Sequence, residues 1–263
     1  MAKGLAVVTG ASSGIGLELA KVLATEGYDL IVSSEGERLD GAVSDLQALG
    51  ANVTSVQTDL SKTEGVEKLW KACEAAGRPL DIACINAGVG IGGKFVDTKL
   101  NDELNIINLN CGHTVHFAKH VVKQMVPRGA GRILFTASIA GEMVAPREAV
   151  YAASKAFVLS FAHSLRYELK DTGVTVTALQ PGPTDTDFFH RAGMDNTEAG
   201  SKGKTESEPG DVARQGYEAL MAGKDDVYAA SFKTKLEGAV ANFVPGELKG
   251  KMHDDMAKPL SEK

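Results

Sequence analysis

Cysteine is scarce in this 263-residue chain, where Cys73, Cys84 and Cys111 are the only three. An odd number of scattered thiols with no metal-ligand spacing argues against a disulfide framework and fits a reducing compartment. Cys84 stands in an apolar run and reads as a small core hydrophobe; Cys111 has no cation beside it in the sequence, so packing is its default as well. Long apolar runs are missing too. None reaches the ~18 residues needed to cross a bilayer, and the first apolar segment begins at Leu5, which leaves no room for a signal peptide. The expectation is a cytoplasmic chain with no membrane attachment. The 28 basic residues are outnumbered by 34 acidic ones, a net charge of −6, and no basic cluster could track a phosphate backbone, so nucleic acid is not an expected partner. With no internal repeat and no dividing linker, one domain over 1–263 is expected, and 43% apolar content is ample for its core.

What is present is a regular alternation. Short apolar runs recur at Leu5–Val8, Leu30–Val32, Val53–Val56, Ile82–Ile85, Ile133–Phe135 and Val174–Leu179. Between them lie amphipathic stretches at Leu17–Ala24, Gly41–Leu49, Glu64–Ala76, Gly112–Met125 and Ala152–Leu169. This pattern predicts an α/β fold: a doubly wound, mostly parallel sheet of Rossmann type with helices on both faces. From about 188 to 210 the composition turns to Gly, Ser, Lys, Glu and Thr after Phe188-Phe189, which reads as a mobile substrate loop. Another helix is expected from Asp211 and a last strand at Val227–Ala229. The tail from about 231 to 263 is expected to be helical and peripheral, broken at Pro245 and Pro259.

The glycines of Thr9-Gly10-Ala11-Ser12-Ser13-Gly14-Ile15-Gly16 follow the first expected strand and open the first expected helix. A tight turn there brings backbone and unpaired helix N–H groups to an anion, as the pyrophosphate of a dinucleotide requires. After the second strand comes Val32-Ser33-Ser34-Glu35-Gly36-Glu37-Arg38, where an adenosine ribose should lie. Glu35 can accept from ribose hydroxyls and repel a 2′-phosphate, which tilts the reading of an NAD(P)(H) cofactor toward NAD. Ser34 is small enough to admit a phosphate, and Arg38 has the charge to meet one. Asp59, in Asp59-Leu60-Ser61, has two readings, a hydrogen bond to the adenine or a helix N-cap. Asn86-Ala87-Gly88 ends the fourth expected strand, at the carboxyl edge where such sheets take ligands.

Tyr151 and Lys155 are four apart in a helical segment and so share one face. A phenol with an ordinary pKa near ~10 is a poor acid–base catalyst at neutral pH, and a nearby ammonium in a partly dry pocket is expected to lower it. Ser138, just past the fifth strand, can donate to a substrate oxygen where charge develops. Asn110 can fix a water that relays protons toward Lys155.

These motifs together resemble the short-chain dehydrogenase/reductase family in its ordinary single-domain form. The glycine turn, Asn86-Ala87-Gly88 (with Ile85 where the family often has a first asparagine), Ser138, Tyr151, Lys155 and Pro181-Gly182-Pro183-Thr184-Asp185-Thr186 carry the resemblance across residues 5 to 230. It implies hydride transfer between NAD(P)H and a carbonyl or secondary alcohol. Tyr151 is then the general acid–base, Lys155 binds the nicotinamide ribose and lowers the tyrosine pKa, and Ser138 orients the carbonyl. The implied cofactor contacts come from Gly10, Ser12, Ser13, Gly14, Ile15, Gly16, Ser34, Glu35, Asp59, Leu60, Asn86, Ala87, Gly88, Tyr151, Lys155, Pro181, Gly182, Thr184 and Thr186. The family's asparagine falls on Asn108 or Asn110, and the separations from Met125 and Ser138 favour Asn110. Beyond Tyr151 a mainly apolar pocket is expected from Gly90, Ile91, Met143, Val144, Phe188 and Phe189, for a moderately apolar small-molecule substrate.

His113, His116 and His120 share one expected helix. The spacing of the last two suits a metal, but no acidic or cysteine third ligand is evident nearby and the resembled family usually needs none, so no metal is expected. The resemblance puts this helix and the Tyr151 helix at a subunit interface of a homodimer or homotetramer, a plainer home for the imidazoles. Two rival readings differ in class. A nucleotide-sensing regulatory protein would keep the fold without turnover; an intact Ser138, Tyr151, Lys155 and Asn110 argues against it. A lyase or epimerase on the same sheet would need a longer chain.

Overall fold

The computed structural model describes residues 2–198, 200, 207–229 and 246–262. Among them, strands β1 (Gly4–Thr9), β2 (Tyr28–Ser34), β3 (Val53–Gln57), β4 (Ile82–Ile85), β5 (Gly131–Thr136), β6 (Val174–Pro181) and β7 (Asp226–Ala229) form one sheet in the order β3-β2-β1-β4-β5-β6-β7. Every neighbouring pair is parallel. The Rossmann-like α/β arrangement read from the alternation is what the chain adopts.

The strands are apolar on both faces because both are covered. Leu5 and Val7 of β1 point to one core with Ile31, Leu69, Trp70, Phe117 and Val158. Their neighbours Ala6 and Val8 point to the other, with Leu30, Val32, Leu19, Leu23 and Val212. The first core lies under α3 (Thr63–Ala75), α5 (Thr114–Arg128) and α6 (Ala149–Glu168); the second lies under α1 (Gly14–Thr25), α2 (Arg38–Ala48) and α8 (Pro209–Met221). At roughly 25 cal/mol per Å² of apolar surface removed from water, these two layers supply most of the drive to fold. The edge strand β3 keeps only Val56 buried, while Thr54, Ser55 and Gln57 face solvent, which blunts an edge otherwise open to pairing.

Three expectations change. The helix expected over Gly112–Met125 begins earlier, as α4 (Leu100–Ile106), and runs through a π-helical segment, Ile107–His113, into α5. Asn108, Asn110 and Gly112 are poor helix formers, so the pattern looked broken where the helix only widens. The loop expected near 188–210 contains a short helix, α7 (Phe188–Arg191), and Ala192 and Met194 behind it are buried; residues 199 and 201–206 of that loop lie outside the described residues. The tail is not peripheral. Helix α9 (Gly246–Ala257) packs Ala257 against Ala192 and Met194, and Thr197 bridges to Pro259. Residues 230–245 lie outside the described residues, so that part of the expected helical tail, Pro245 included, has no structural counterpart to compare. No helix among the described residues is long and apolar enough to cross a membrane.

His113 is buried against the ring of Phe117, 6.2 Å between centroids, rather than held at the surface. Burial pushes its pKa down from 6.5 to about 4. Between those values the unfolded chain binds a proton that the folded chain refuses. This stability is therefore fully present above the unfolded pKa and lost as pH falls toward 4, an effect of up to about 3 kcal/mol. We expect His113→Leu to flatten the fall in the urea midpoint between about pH 6.5 and pH 4.5; an unchanged slope would remove His113 as its source.

Candidate active site

A cavity of about 300 Å³ opens at the carboxyl edge of the sheet, above the gap between β1 and β4 where the strand order reverses. Such a gap is where open α/β sheets accept ligands, because the loops leaving neighbouring strands diverge there. One wall is the glycine turn. Gly10 has φ +70° and Gly14 φ +55°, the left-handed conformation that a Cβ disfavours. A Cβ on Gly16 would overlap the Gly10 carbonyl oxygen and Asn86 Nδ2, so only glycine lets α1 start this close to β1. Ser13 caps α1 with no side-chain hydrogen bond, leaving first-turn N–H groups for an anion. These features fit a dinucleotide's pyrophosphate.

The strand ends are tied by one hydrogen-bond chain. Thr9 Oγ1 accepts from the backbone N–H of Asn86 (2.9 Å) and Ala87 (3.0 Å), and Asn86 Nδ2 donates to the Thr9 carbonyl at 3.1 Å. Asn86 Oδ1 accepts from Thr136 Oγ1 at 3.0 Å, and the Thr136 carbonyl accepts from Lys155 Nζ at 2.9 Å. Asn86 therefore works as a brace as well as a cavity wall. Thr9, Thr136 and Val89 were not singled out as site residues by sequence reasoning; a threonine at a strand end carries no distinguishing signal.

Where the ribose is expected, Ser34 and Glu35 line the cavity. Ser34 Oγ is 2.8 Å from Ser12 Oγ. Arg38, the residue able to meet a 2′-phosphate, is paired instead with Asp187. Asp59 lines the cavity with Leu60, but it does not cap α3, which starts after Lys62. Its carboxylate accepts from the Ser61 N–H and hydroxyl and pairs with Lys62 at 3.0 Å. Those contacts hold it below the usual carboxylate range against the opposing pull of burial.

At the far end Ser138, Tyr151 and Lys155 converge. Ser138 lines the cavity with the phenol, donates to the Pro181 carbonyl at 3.5 Å and accepts from the Ala140 N–H at 3.1 Å. Lys155 is 5% exposed, and its Nζ lies 5.8 Å from the centre of the Tyr151 ring. Burial lowers its pKa to about 8. The expected lowering of the phenol is not what the structure shows: burial, with Glu148 nearby, pushes Tyr151 upward, and Ser138 only partly offsets this. Desolvation disfavours the phenolate, and the buried ammonium 5.8 Å from the ring does not reverse it. Lys155 also gives Cys111 the cationic neighbour that the sequence did not reveal, yet burial still raises that thiol.

Asn110 is buried and Asn108 exposed. Asn110 does not line the cavity; it clamps the loop after β4. Its Oδ1 accepts from the Val89 N–H at 2.9 Å, and its Nδ2 donates to the Val89 carbonyl and to Ser154 Oγ, both at 2.9 Å. The π-helical widening aims this amide inward, and such widenings recur at functional sites. A Cβ on Gly88 would lie 3.1 Å from Asn110 Oδ1 and 3.3 Å from Lys155 Nζ, so glycine keeps open the small space between them.

The remaining wall comes from Pro181, Gly182, Thr184 and Thr186, with the Thr186 methyl packed against Gly14. Met143, Phe188 and Phe189 line the cavity, and the Phe188 ring lies tilted at 47° to that of Tyr151, 5.1 Å between centroids. Val144 does not; it is half exposed and lies beside Gly250. Gly90 and Ile91 are also outside the lining, although the close approach of Gly90 to Phe188 and Tyr151 leaves no room for a side chain. Sequence reasoning missed His253 and Met256 of α9, and Glu148, all of which face the cavity. His253 Nε2 pairs with Glu148 Oε2 at 3.0 Å, both groups buried. Beside them Arg147, at φ 68° the one non-glycine residue with positive φ among the described residues, holds Asp254 through Nε at 2.8 Å.

The sequence matches the family model described as short chain dehydrogenase over residues 4–197. It is similar to the 1-deoxy-11-beta-hydroxypentalenate dehydrogenase of Streptomyces exfoliatus, 36% identical over 86% of this chain and 82% of that protein. The glycine betaine reductase of Emericella nidulans is 36% identical over 70% of this chain, which spans only 15% of that longer protein. A solved short-chain dehydrogenase from Sphingobium yanoikuyae in complex with NADPH superposes with a TM-score of 0.79 at 26% identity, over 91% of this chain and 94% of that one.

Asn110→Ala would orphan both backbone groups of Val89. We expect a loss of about 2–3 kcal/mol in unfolding free energy, read from urea denaturation. A change below about 0.5 kcal/mol would show that the clamp contributes nothing.

Proposed function

Because this chain belongs to the short-chain dehydrogenase/reductase family of NAD(P)-dependent oxidoreductases, we propose that it transfers a hydride between the nicotinamide and a carbonyl or secondary alcohol of a moderately apolar small molecule. The observation that carries this reading is the convergence of Ser138, Tyr151 and Lys155 at the end of a cavity whose other wall is the glycine turn. The nicotinamide, when bound, supplies or accepts the hydride.

In this reading the substrate oxygen is met by the Ser138 hydroxyl and the Tyr151 phenol. With its pKa raised, the phenol stays protonated at neutral pH and is ready to donate, which suits carbonyl reduction. Lys155, mostly protonated below about 8, stabilises the phenolate that forms as the proton leaves. Asn110 acts at one remove, as a positioning residue holding the Val89 loop and, through Ser154, the Tyr151 turn. Phe188, Phe189, Met143 and Met256 exclude water, and the Glu148–His253 pair offers the substrate one polar contact in an otherwise apolar pocket.

For the cofactor we favour NAD over NADP. Glu35 lines the ribose end of the cavity, and Arg38, the arginine that follows β2, is paired with Asp187. The S. yanoikuyae relative is in complex with NADPH, so the preference rests on this chain's own charges. We read the chain as one domain that works in the cytoplasm as a homodimer or homotetramer. Exposed Leu100, Leu104 and Ile107 on one face of α4 and the following turn, with Phe157 on α6, offer apolar surface for that assembly.

Tyr151→Phe is expected to lower carbonyl turnover by at least about 10³-fold and to leave nucleotide affinity within a few-fold; retained turnover would refute the assigned role. Asp187→Ala should release Arg38 and raise NADPH affinity several-fold with little change for NADH, measured by side-by-side fluorescence titration. Equal effects on the two nucleotides would remove the charge argument for NAD.

A further inference from the structure

Away from the cavity, α3 and α5 bring together three side chains that the hydride chemistry does not use. Glu67 Oε1 lies 2.7 Å from His116 Nε2 and 3.0 Å from His120 Nε2. One potential ligand atom from each residue falls within 4.8 Å of the others. The histidines are one helical turn apart on α5, and the carboxylate, absent from their sequence neighbourhood, comes from 49 residues earlier in the chain.

We propose that Glu67, His116 and His120 form a three-ligand site for a divalent transition ion, Zn²⁺ in the first place, which clamps α3 to α5. Two imidazole nitrogens and one carboxylate oxygen are a donor set that suits Zn²⁺, with a fourth position open to water. In a tetrahedral site with ligand bonds of about 2.0–2.2 Å, the donor atoms stand roughly 3.3–3.6 Å apart, between the 2.7 and 3.0 Å of the carboxylate–imidazole pairs and the 4.8 Å that bounds the whole group. All three heads are partly exposed, 40% for Glu67, 30% for His116 and 25% for His120, so they can close on an ion by side-chain rotation alone.

Two further features favour an ion over a simple ion pair. Among the described residues, Glu67 has no lysine or arginine within salt-bridge distance; its ionic partners are these two imidazoles. Trp70 stacks on His120 at 4.9 Å and 13°, and edges onto Phe117, which fixes the orientation of one ligand ring against a rigid apolar wall. Ligation needs neutral imidazoles, each giving a ring-nitrogen lone pair. Mg²⁺ prefers oxygen donors and should pass the site by.

The test uses the full chain without an affinity tag, stripped with a chelator, dialysed, and titrated calorimetrically with ZnCl₂ and in parallel with MgCl₂. The expected result is one Zn²⁺ per chain, no saturable Mg²⁺ binding, and a thermal midpoint that rises with Zn²⁺ because the ion binds the folded state. His116→Gln and His120→Gln should each weaken Zn²⁺ binding at least about tenfold. Glu67→Gln, which keeps shape and reach, should do so as well, and it serves alone should the histidine variants fail to fold. Absence of saturable Zn²⁺ binding, or unchanged affinity and stoichiometry in these variants, would overturn the proposal. Neither result bears on hydride transfer.

Discussion

The hydrogen-bond chain Thr9–Asn86–Thr136–Lys155 is the constraint on which the rest of this structure depends. It runs across the ends of β1, β4 and β5 and finishes on the buried ammonium. Thr136 is its hub: the hydroxyl braces Asn86, and the carbonyl anchors Lys155. The same links hold the glycine turn in register with the loop that carries Gly88, so the two ends of the cavity are positioned by one network rather than by two. Were that network loosened, the buried carbonyl of Thr136 and the amide of Asn86 would lose their partners together, which low-dielectric surroundings make costly.

Burial sets the chemistry at the other end of the network. Keeping the Lys155 ammonium out of water works against stability by about 3 kcal/mol at neutral pH, and the same dryness holds the Tyr151 phenol protonated. Both effects oppose folding or ionisation, yet they suit the proposed chemistry, in which a proton moves only when negative charge appears on a neighbouring oxygen. The two covered faces of the sheet supply the stability against which that cost is set. Helix α9 adds to the dryness. Arg147 and Glu148, in the turn before the Tyr151 helix, hold Asp254 and His253, so α9 forms part of the cavity wall.

Much of this was legible in the sequence. Short apolar runs and period-3.6 stretches located seven strands and most helices because parallel strands covered on both faces must be apolar almost throughout. The glycine turn was legible because a backbone approach that excludes Cβ admits no other residue. The Tyr151–Lys155 pair was legible because four residues make one helical turn. Less visible was the helix around Asn110, where asparagines and a glycine interrupt the propensity signal at the point where the widened turn needs an inward amide. The polar composition near residues 188–210 likewise suggested an open loop, while Ala192 and Met194 find burial against α9.

By itself the sequence determined the sheet, the glycine turn and the identities of the groups facing one another across the cavity, since each is encoded within a few residues by steric or periodic rules. Only the tertiary structure decided that Asn110 clamps the Val89 loop, that Arg38 is spent on Asp187, that α9 covers the pocket, and that Glu67 meets His116 and His120. Those pairings join residues from 21 to 149 positions apart. No local rule reaches that far; packing two layers of helices on a twisted sheet brings such residues together, and it likewise removes the water that would otherwise have set the charge of Tyr151 and Lys155.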